Sequence, residues 1–254
     1  MMTKVVRLHQ TGDADVLKLE DIPLEEPKDN EVRICVKAIA KAAAKEEADL
    51  TISSRSATKL ENALAEFERD INIYPADLTD DKSVKDLFER IGAIDHLIIS
   101  GSSVSMAGFY ELSIEKAMAS MNSKFWGVTR AVKMAQINSG GSITLFSGTL
   151  SRKPTKGTTI VSAINAAVEG LGRALAIELA PIRVNVISPG LVETPIYKDV
   201  PESERESMFE NAASNLPVGH IGKPEDIAAV AMMLMTNSYM TGTVVDIDGG
   251  SLLS

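Results

Sequence analysis

Ser147 and Arg55 are the side chains in this sequence best placed for chemistry. Ser147 closes an apolar, β-branched run at residues 142–146. A hydroxyl there either polarises a substrate oxygen or bonds to neighbouring backbone. Arg55 follows a similar run at residues 50–53, where a guanidinium either grips a phosphate or stays solvated. Tyr110 and Tyr197 fall in expected loops after strands, positions that suit the rim of a substrate site. His9, His96 and His220 show no ligand spacing, so no metal site is expected. Cys35 is the only cysteine, which excludes an intrachain disulfide framework and points to a reducing, cytoplasmic setting.

The elements that must hold these residues alternate regularly from residue 50 onward. Near-continuous apolar runs at 50–53, 71–74, 96–100, 142–146, 183–188 and 243–247 read as strands buried on both faces. Between them, helical stretches are expected at 58–68, 83–91, 114–136, 158–179, 202–213 and 224–235. Asp80 or Asp81, Ser113 and Pro224 mark helix starts. Such alternation predicts an α/β fold: a Rossmann-like, doubly wound parallel sheet in a three-layer sandwich with right-handed crossovers. A length of 254 residues suffices for one buried core. A net charge of −9 speaks against nucleic acid as the main partner. No run is expected to span a bilayer, which takes roughly 20 apolar residues, and the N-terminus lacks the apolar core of a signal peptide.

The first forty residues differ in character. Residues 13–31 are acidic and polar, with prolines at 23 and 27. Residues 16–19 suit a strand. Residues 31–45 suit either one helix, with Val32, Val36, Ile39 and Ala43 on one face, or a strand over 31–38 through alternating Val32, Ile34 and Val36.

Several stretches, in order and spacing, resemble the short-chain dehydrogenase/reductase family. They are Asp77-Leu78 in PADLTD, DHLIISGS ending at Ser102, SITLFSG ending at Gly148, RVNVISPGLVETP ending at Pro195, and TGTVVDIDGG ending at Gly250. The resemblance covers about residues 38–254, which defines a family-like domain there. Residues 1–37 form an atypical segment that resembles the opening of medium-chain quinone reductases, through TKVVRLHQTGDADVLKLEDIPL and EVRICVKAIA. A natural fusion, an engineered recombinant and a gene-model error would each produce such a join.

The family resemblance implies an oxidoreductase that moves hydride between a nicotinamide cofactor and a small carbonyl or alcohol, usually as a homodimer or homotetramer. Small residues at Ala163, Ala166, Ala167, Gly170 and Gly172 suit the helix that packs across the family's subunit interface. The family's proton donor is a tyrosine with a lysine four residues on, aided by a serine and an asparagine. Here those positions fall on Val161, Asn165, Gly148 and Lys124, and no tyrosine in the chain has a lysine four residues later. Ser147, Lys124 and Asn165 are therefore the candidate catalytic residues. Ser54, Arg55, Asp77, Leu78, Ser100, Gly101, Pro189, Gly190, Val192 and Thr194 match cofactor contacts. Arg55, with Ser54 where an NAD-preferring member carries an acid, favours NADP over NAD.

The phosphate loop departs from the pattern. A pyrophosphate site needs glycines so that backbone can approach the ligand at a helix N-terminus. No glycine occurs between Gly12 and Gly92, and the segment entering the first helix carries Asp29 and Glu31 instead. Two functions stay open: an NADP(H)-dependent oxidoreductase with a non-standard catalytic site, or an inactive scaffold, ligand sensor or recombinant chimera on the same fold.

Overall fold

The computed structural model describes residues 2–8, 17–23, 34–68, 70–194, 197 and 200–254. The chain divides into two compact units, Met1–Asn30 and Glu31–Ser254. In the first unit β1 (Met2–Leu8) pairs antiparallel with β2 (Leu17–Pro23), Met2 opposite Pro23 and Leu8 opposite Leu17. The expected strand at 16–19 thus runs on to Pro23.

The second unit opens with α1 (Ile34–Lys45), so the ambiguous stretch is helical from Ile34; residues 31–33 lie outside the described residues. The reason is tertiary. Ile39, Ala40 and Ala43 are buried at one- and four-residue spacing, which only a helix turns toward one side. Six parallel strands follow: β3 (Thr51–Ser54), β4 (Asn72–Pro75), β5 (Ala93–Ile99), β6 (Gln136–Phe146), β7 (Arg183–Pro189) and β8 (Val244–Ile247). The intervening helices are α2 (Ala57–Leu64), α3 (Asp81–Ile91), α4 (Ile114–Met121), α5 (Gly127–Met134), α6 (Thr159–Glu178), α7 (Glu202–Ser214) and α8 (Pro224–Thr236). Asp80 caps α3 by accepting from the Lys82 amide, Ser113 caps α4, and Pro224 opens α8.

The layers follow from which strand residues point where. Ile143, Leu145, Val184 and Val186 meet Val84, Leu87 and Phe88 of α3, Val128, Ala131 and Val132 of α5, and Val168 of α6. Phe146 and Ile187 point the other way, to Ile39 of α1 and Ile227, Ala228, Ala231 and Leu234 of α8. β6 from Gly141 onward and β7 are buried on both faces, which explains their continuous apolar runs, whereas β3, β4, β5 and β8 are only partly buried.

Three expectations are corrected. The sheet is not one ladder among the described residues: β3 pairs only with β4, while β5, β6, β7 and β8 form a separate four-stranded ladder. In a doubly wound order of 3-2-1-4-5-6, the first strand joins these halves. No described strand does so here, and α1 instead touches both, through Ala40 beside Ile52 and Leu60, and Ile39 beside Ile187. The long helix expected at 114–136 is broken by a π-helical turn at Asn122–Trp126. Finally, α6 is long and apolar enough by composition to cross a membrane, contrary to the expectation that no run would be. Its Val161, Ile164 and Val168 are buried in the sandwich, which accounts for that apolarity.

Gly172 shows how closely α6 approaches the sheet. A Cβ there would sit 2.4 Å from Val186 Cγ2 on β7. Gly172→Ala is expected to destabilise the fold by about 1–3 kcal/mol through overpacking. Urea unfolding checks this, and an unchanged midpoint would contradict the close approach.

Candidate functional site

A parallel sheet brings the carboxyl ends of its strands to one edge, where ligands of this architecture bind. Ser54 ends β3 and Arg55 follows it, Asp77 and Leu78 follow β4, and Ser100 and Gly101 follow β5. Ser147 follows β6, and residues 189–194 close β7. The topology therefore places every candidate residue except Lys124 and Asn165 at the carboxyl ends of these two ladders. The π turn and α6 bring those two to the four-stranded one, beside Ser147.

Lys124 is the centre of the arrangement. The π turn inserts one extra residue per turn, a feature found often at functional positions, and it directs Lys124 inward, where the residue is only 8% exposed. Its Nζ donates to Asn165 Oδ1 at 2.6 Å and to the Ser147 carbonyl at 3.1 Å. Burial pulls the ammonium down to about 8, because desolvation disfavours the charged form. Asn165 Nδ2 donates in turn to the Gly148 carbonyl at 3.3 Å. Pro189 O lies 3.8 Å from where a Gly148 Cβ would stand, so the β7 turn borders the same spot. Val161, at the family's tyrosine position, is buried core.

The Ser147 hydroxyl is turned away from that spot. It donates to Glu169 Oε1 at 2.8 Å, with the Asn165 carbonyl 3.2 Å away. It belongs to a second buried group comprising Glu169 and Ser151, whose Oγ donates to the same carboxylate oxygen at 2.5 Å. Arg152 stands 3.9 Å from that oxygen while its fork holds Asp246 and Ser188 Oγ. Sequence reading did not single out Glu169, Ser151 or Arg152. The one available signal was that Glu169 lies four residues after Asn165, hence on the same helix face.

The remaining candidates divide between ligand-facing and structural positions. Ser100 Oγ is buried without a hydrogen-bond partner among the described residues, and a Cβ on adjacent Gly101 would meet none of their atoms within 4 Å. An orphaned polar atom beside open space is what a ribose hydroxyl would satisfy. Asp77 Oδ1 accepts from the Thr79 amide and hydroxyl at 2.8 and 2.7 Å, which rigidifies the turn it lies in. Leu78 packs on α5, its Cβ 3.0 Å from where a Gly127 Cβ would stand, so it shapes the helix contact. Gly190 lets backbone pass Asp248, since a Cβ would sit 2.8 Å from that Cα. Val192 bridges to Gly222, and the Thr194 carbonyl accepts from the Tyr197 amide at 3.2 Å. Arg55 is exposed beside half-buried Ser54. Neither loop tyrosine joins the Lys124 group: Tyr110 is almost fully exposed against Phe109, and Tyr197 stacks edge-on with Phe209 at 5.3 Å.

These residues fit a nicotinamide dinucleotide at its two ends, with Ser100 as the orphaned polar partner. At the pyrophosphate they supply no glycine, and the residues entering α1 lie outside the described set.

Comparison with known proteins agrees with this architecture. A family model described as enoyl-(acyl carrier protein) reductase matches residues 36–251. A short-chain dehydrogenase/reductase of Stachybotrys chlorohalonatus is 29% identical over 233 residues, 85% of this chain and 92% of the relative. The 3-oxoacyl-[acyl-carrier-protein] reductase of Thermotoga maritima is 33% identical over 197 residues, 72% of this chain and 78% of the relative. Among solved structures, a small-chain dehydrogenase in complex with NADPH superposes with a TM-score of 0.71 at 40% identity, covering 81% of this chain and 99% of that one. The MalC reductase/Diels-Alderase of Malbranchea aurantiaca gives 0.80 at 27% identity, over 87% of this chain and 93% of that one.

Proposed function

The chain belongs to the short-chain dehydrogenase/reductase family, and from that premise we propose an NADP(H)-dependent oxidoreductase for small carbonyls in which Lys124 donates the proton. The observation that carries this is the Lys124 environment. An ammonium has three N–H donors, and Asn165 Oδ1 and the Ser147 carbonyl take two. No third acceptor stands among the described residues, and on this reading the third N–H goes to a substrate oxygen. A group titrating near 8 is charged at neutral pH yet gives up its proton readily, as a general acid must.

NADPH, when bound, supplies the hydride. Asn165 fixes the direction of the Lys124 amine, and buried Val161 supplies no acid where the family has one. Pro189, Gly190, Val192 and Thr194 border the nicotinamide side, Ser100 and Gly101 the ribose, Asp77 and Leu78 the adenine. Arg55 with Ser54 takes the 2′-phosphate. Without a glycine loop the pyrophosphate gains little backbone contact, so affinity rests on the two ends. Exposed Met118, Trp126 and Ile177 on α4, the π turn and α6 support a homodimer or homotetramer. Residues 1–37 remain, on this reading, a quinone-reductase-like segment ahead of the family domain.

Titration with NADPH and NADH, followed by cofactor fluorescence, tests the pocket. NADPH is expected to bind more tightly, and Arg55→Ala to weaken it by roughly tenfold, about 1.4 kcal/mol for a charge-assisted phosphate contact, while NADH is unaffected. Absence of NADPH binding at about millimolar concentration, some −4 kcal/mol, would sink the reading in favour of a non-catalytic scaffold. A panel of aldehydes and ketones monitored by NADPH oxidation then identifies the substrate class.

A further inference from the structure

Glu169 is a buried carboxylate that the proposed reaction does not use, and its position gives it a task. β6 leaves its ladder after Phe146, the last residue paired to β7. The Ser147 amide still donates to the Ile187 carbonyl at 2.8 Å, but no strand partner among the described residues fixes the Ser147 carbonyl that holds Lys124. Two α6 side chains one turn apart grip this peptide instead. Asn165 reaches the Gly148 carbonyl at 3.3 Å, and Glu169 Oε1 takes the Ser147 hydroxyl at 2.8 Å.

The carboxylate is itself held. Glu169 is 7% exposed, accepts from Ser151 Oγ at 2.5 Å, and faces the Arg152 guanidinium at 3.9 Å. Two hydroxyl bonds and a nearby cation are what a buried carboxylate requires. Such an investment of polar groups beside the lysine has no counterpart in the apolar packing that surrounds it on α6, where Ile164 and Val168 are buried.

We propose that Glu169 is the positioning residue of the Lys124 site, fixing through Ser147 the carbonyl that orients the amine. This rests on the reading of Lys124 as the proton donor. Its geometry is independent of cofactor. Among the described residues, the charged groups around the network are Lys124 from the π turn, Arg152 from the turn after β6, Asp246 of β8, which Arg152 binds, and Asp248 just beyond β8, which acts on Arg152 through space. Since Lys124 meets Ser147 at the carbonyl and Glu169 meets it at the hydroxyl, the coupling is one of placement rather than proton relay.

The test is the titration of Lys124 Nζ by NMR in full-length protein carrying 15N-lysine, the signal assigned by its loss in Lys124→Arg. Glu169→Leu and Ser147→Ala are expected to lower the Lys124 midpoint by about one pH unit, because the ammonium loses a settled acceptor. Glu169→Gln still accepts both hydroxyls and is expected to keep the unmodified midpoint. An unchanged midpoint in Glu169→Leu, with only melting temperature reduced, would overturn the proposal. So would Glu169→Gln behaving like Glu169→Leu, which would assign the effect to charge. Should Glu169→Leu fail to fold, Ser147→Ala decides alone. None of these readings requires turnover, so failure here is separable from failure of the proposed reaction.

Discussion

Lys124→Met is expected to lower carbonyl-reducing turnover by at least about 100-fold, the low end for loss of a general acid, without loss of fold. The second half of that expectation follows from competing magnitudes. A buried lysine displaced from 10.5 to about 8 holds its charge in the folded state at a cost on the order of 3 kcal/mol at neutral pH. Methionine removes that cost. Against it stands the loss of a donor to Asn165 Oδ1 and the Ser147 carbonyl, about 1–3 kcal/mol. The two nearly cancel, so melting temperature at pH 7 should change by only a few degrees.

The pH dependence distinguishes this from simple damage. The folded state binds its Lys124 proton more weakly than the unfolded chain does. Between about 8 and 10.5 the unfolded state therefore carries more protons, and the stability contribution of this residue rises with pH across that window. Lys124→Met should flatten the rise. Turnover runs the opposite way, because the acid form disappears as pH climbs through about 8. A variant whose turnover persists would remove Lys124 as the proton donor, and one whose stability profile matches the unmodified protein would remove it as the source of the rise.

Arg183→Met should be the most damaging of the stability changes. Arg183 opens β7 at 8% exposure, with no carboxylate partner among the described residues. Its guanidinium serves helix ends: Nη1 donates to the Leu234 carbonyl at 2.6 Å and Nη2 to the Met235 carbonyl at 2.7 Å. These are last-turn carbonyls of α8, where intrahelical donors run out and the helix dipole is negative. Methionine would leave both carbonyls buried and unmet. The expected loss is about 3 kcal/mol, hence roughly 6–12 °C in melting temperature for a domain of this size. Calorimetry decides it; a loss under about 2 °C would mean that water replaces the guanidinium.

Much of the framework was legible in the residues. Apolar runs located the parallel strands, most clearly β6 and β7, whose burial on both faces leaves no polar alternation, and Asp80, Ser113 and Pro224 located helix starts through their capping chemistry. The family resemblance put Lys124, Asn165 and Ser147 near one another before any coordinate did. It gave no hint that the Ser147 hydroxyl faces Glu169, because that contact joins β6 to α6 across 22 residues of chain. The π turn was equally hidden, for the sequence through Asn122–Trp126 continues an ordinary helical run.

Local composition, then, determined the alternation of strands and helices, the fold class, and the absence of a Tyr-x-x-x-Lys pair and a glycine loop. Tertiary packing decided the rest. It made residues 34–45 a helix, because Ile39, Ala40 and Ala43 are all buried, at a spacing that a strand would split between its two faces. Among the described residues it also divided the parallel strands into two ladders, and it depressed Lys124, since strand partners and desolvation are set by what surrounds a residue and not by its neighbours in sequence.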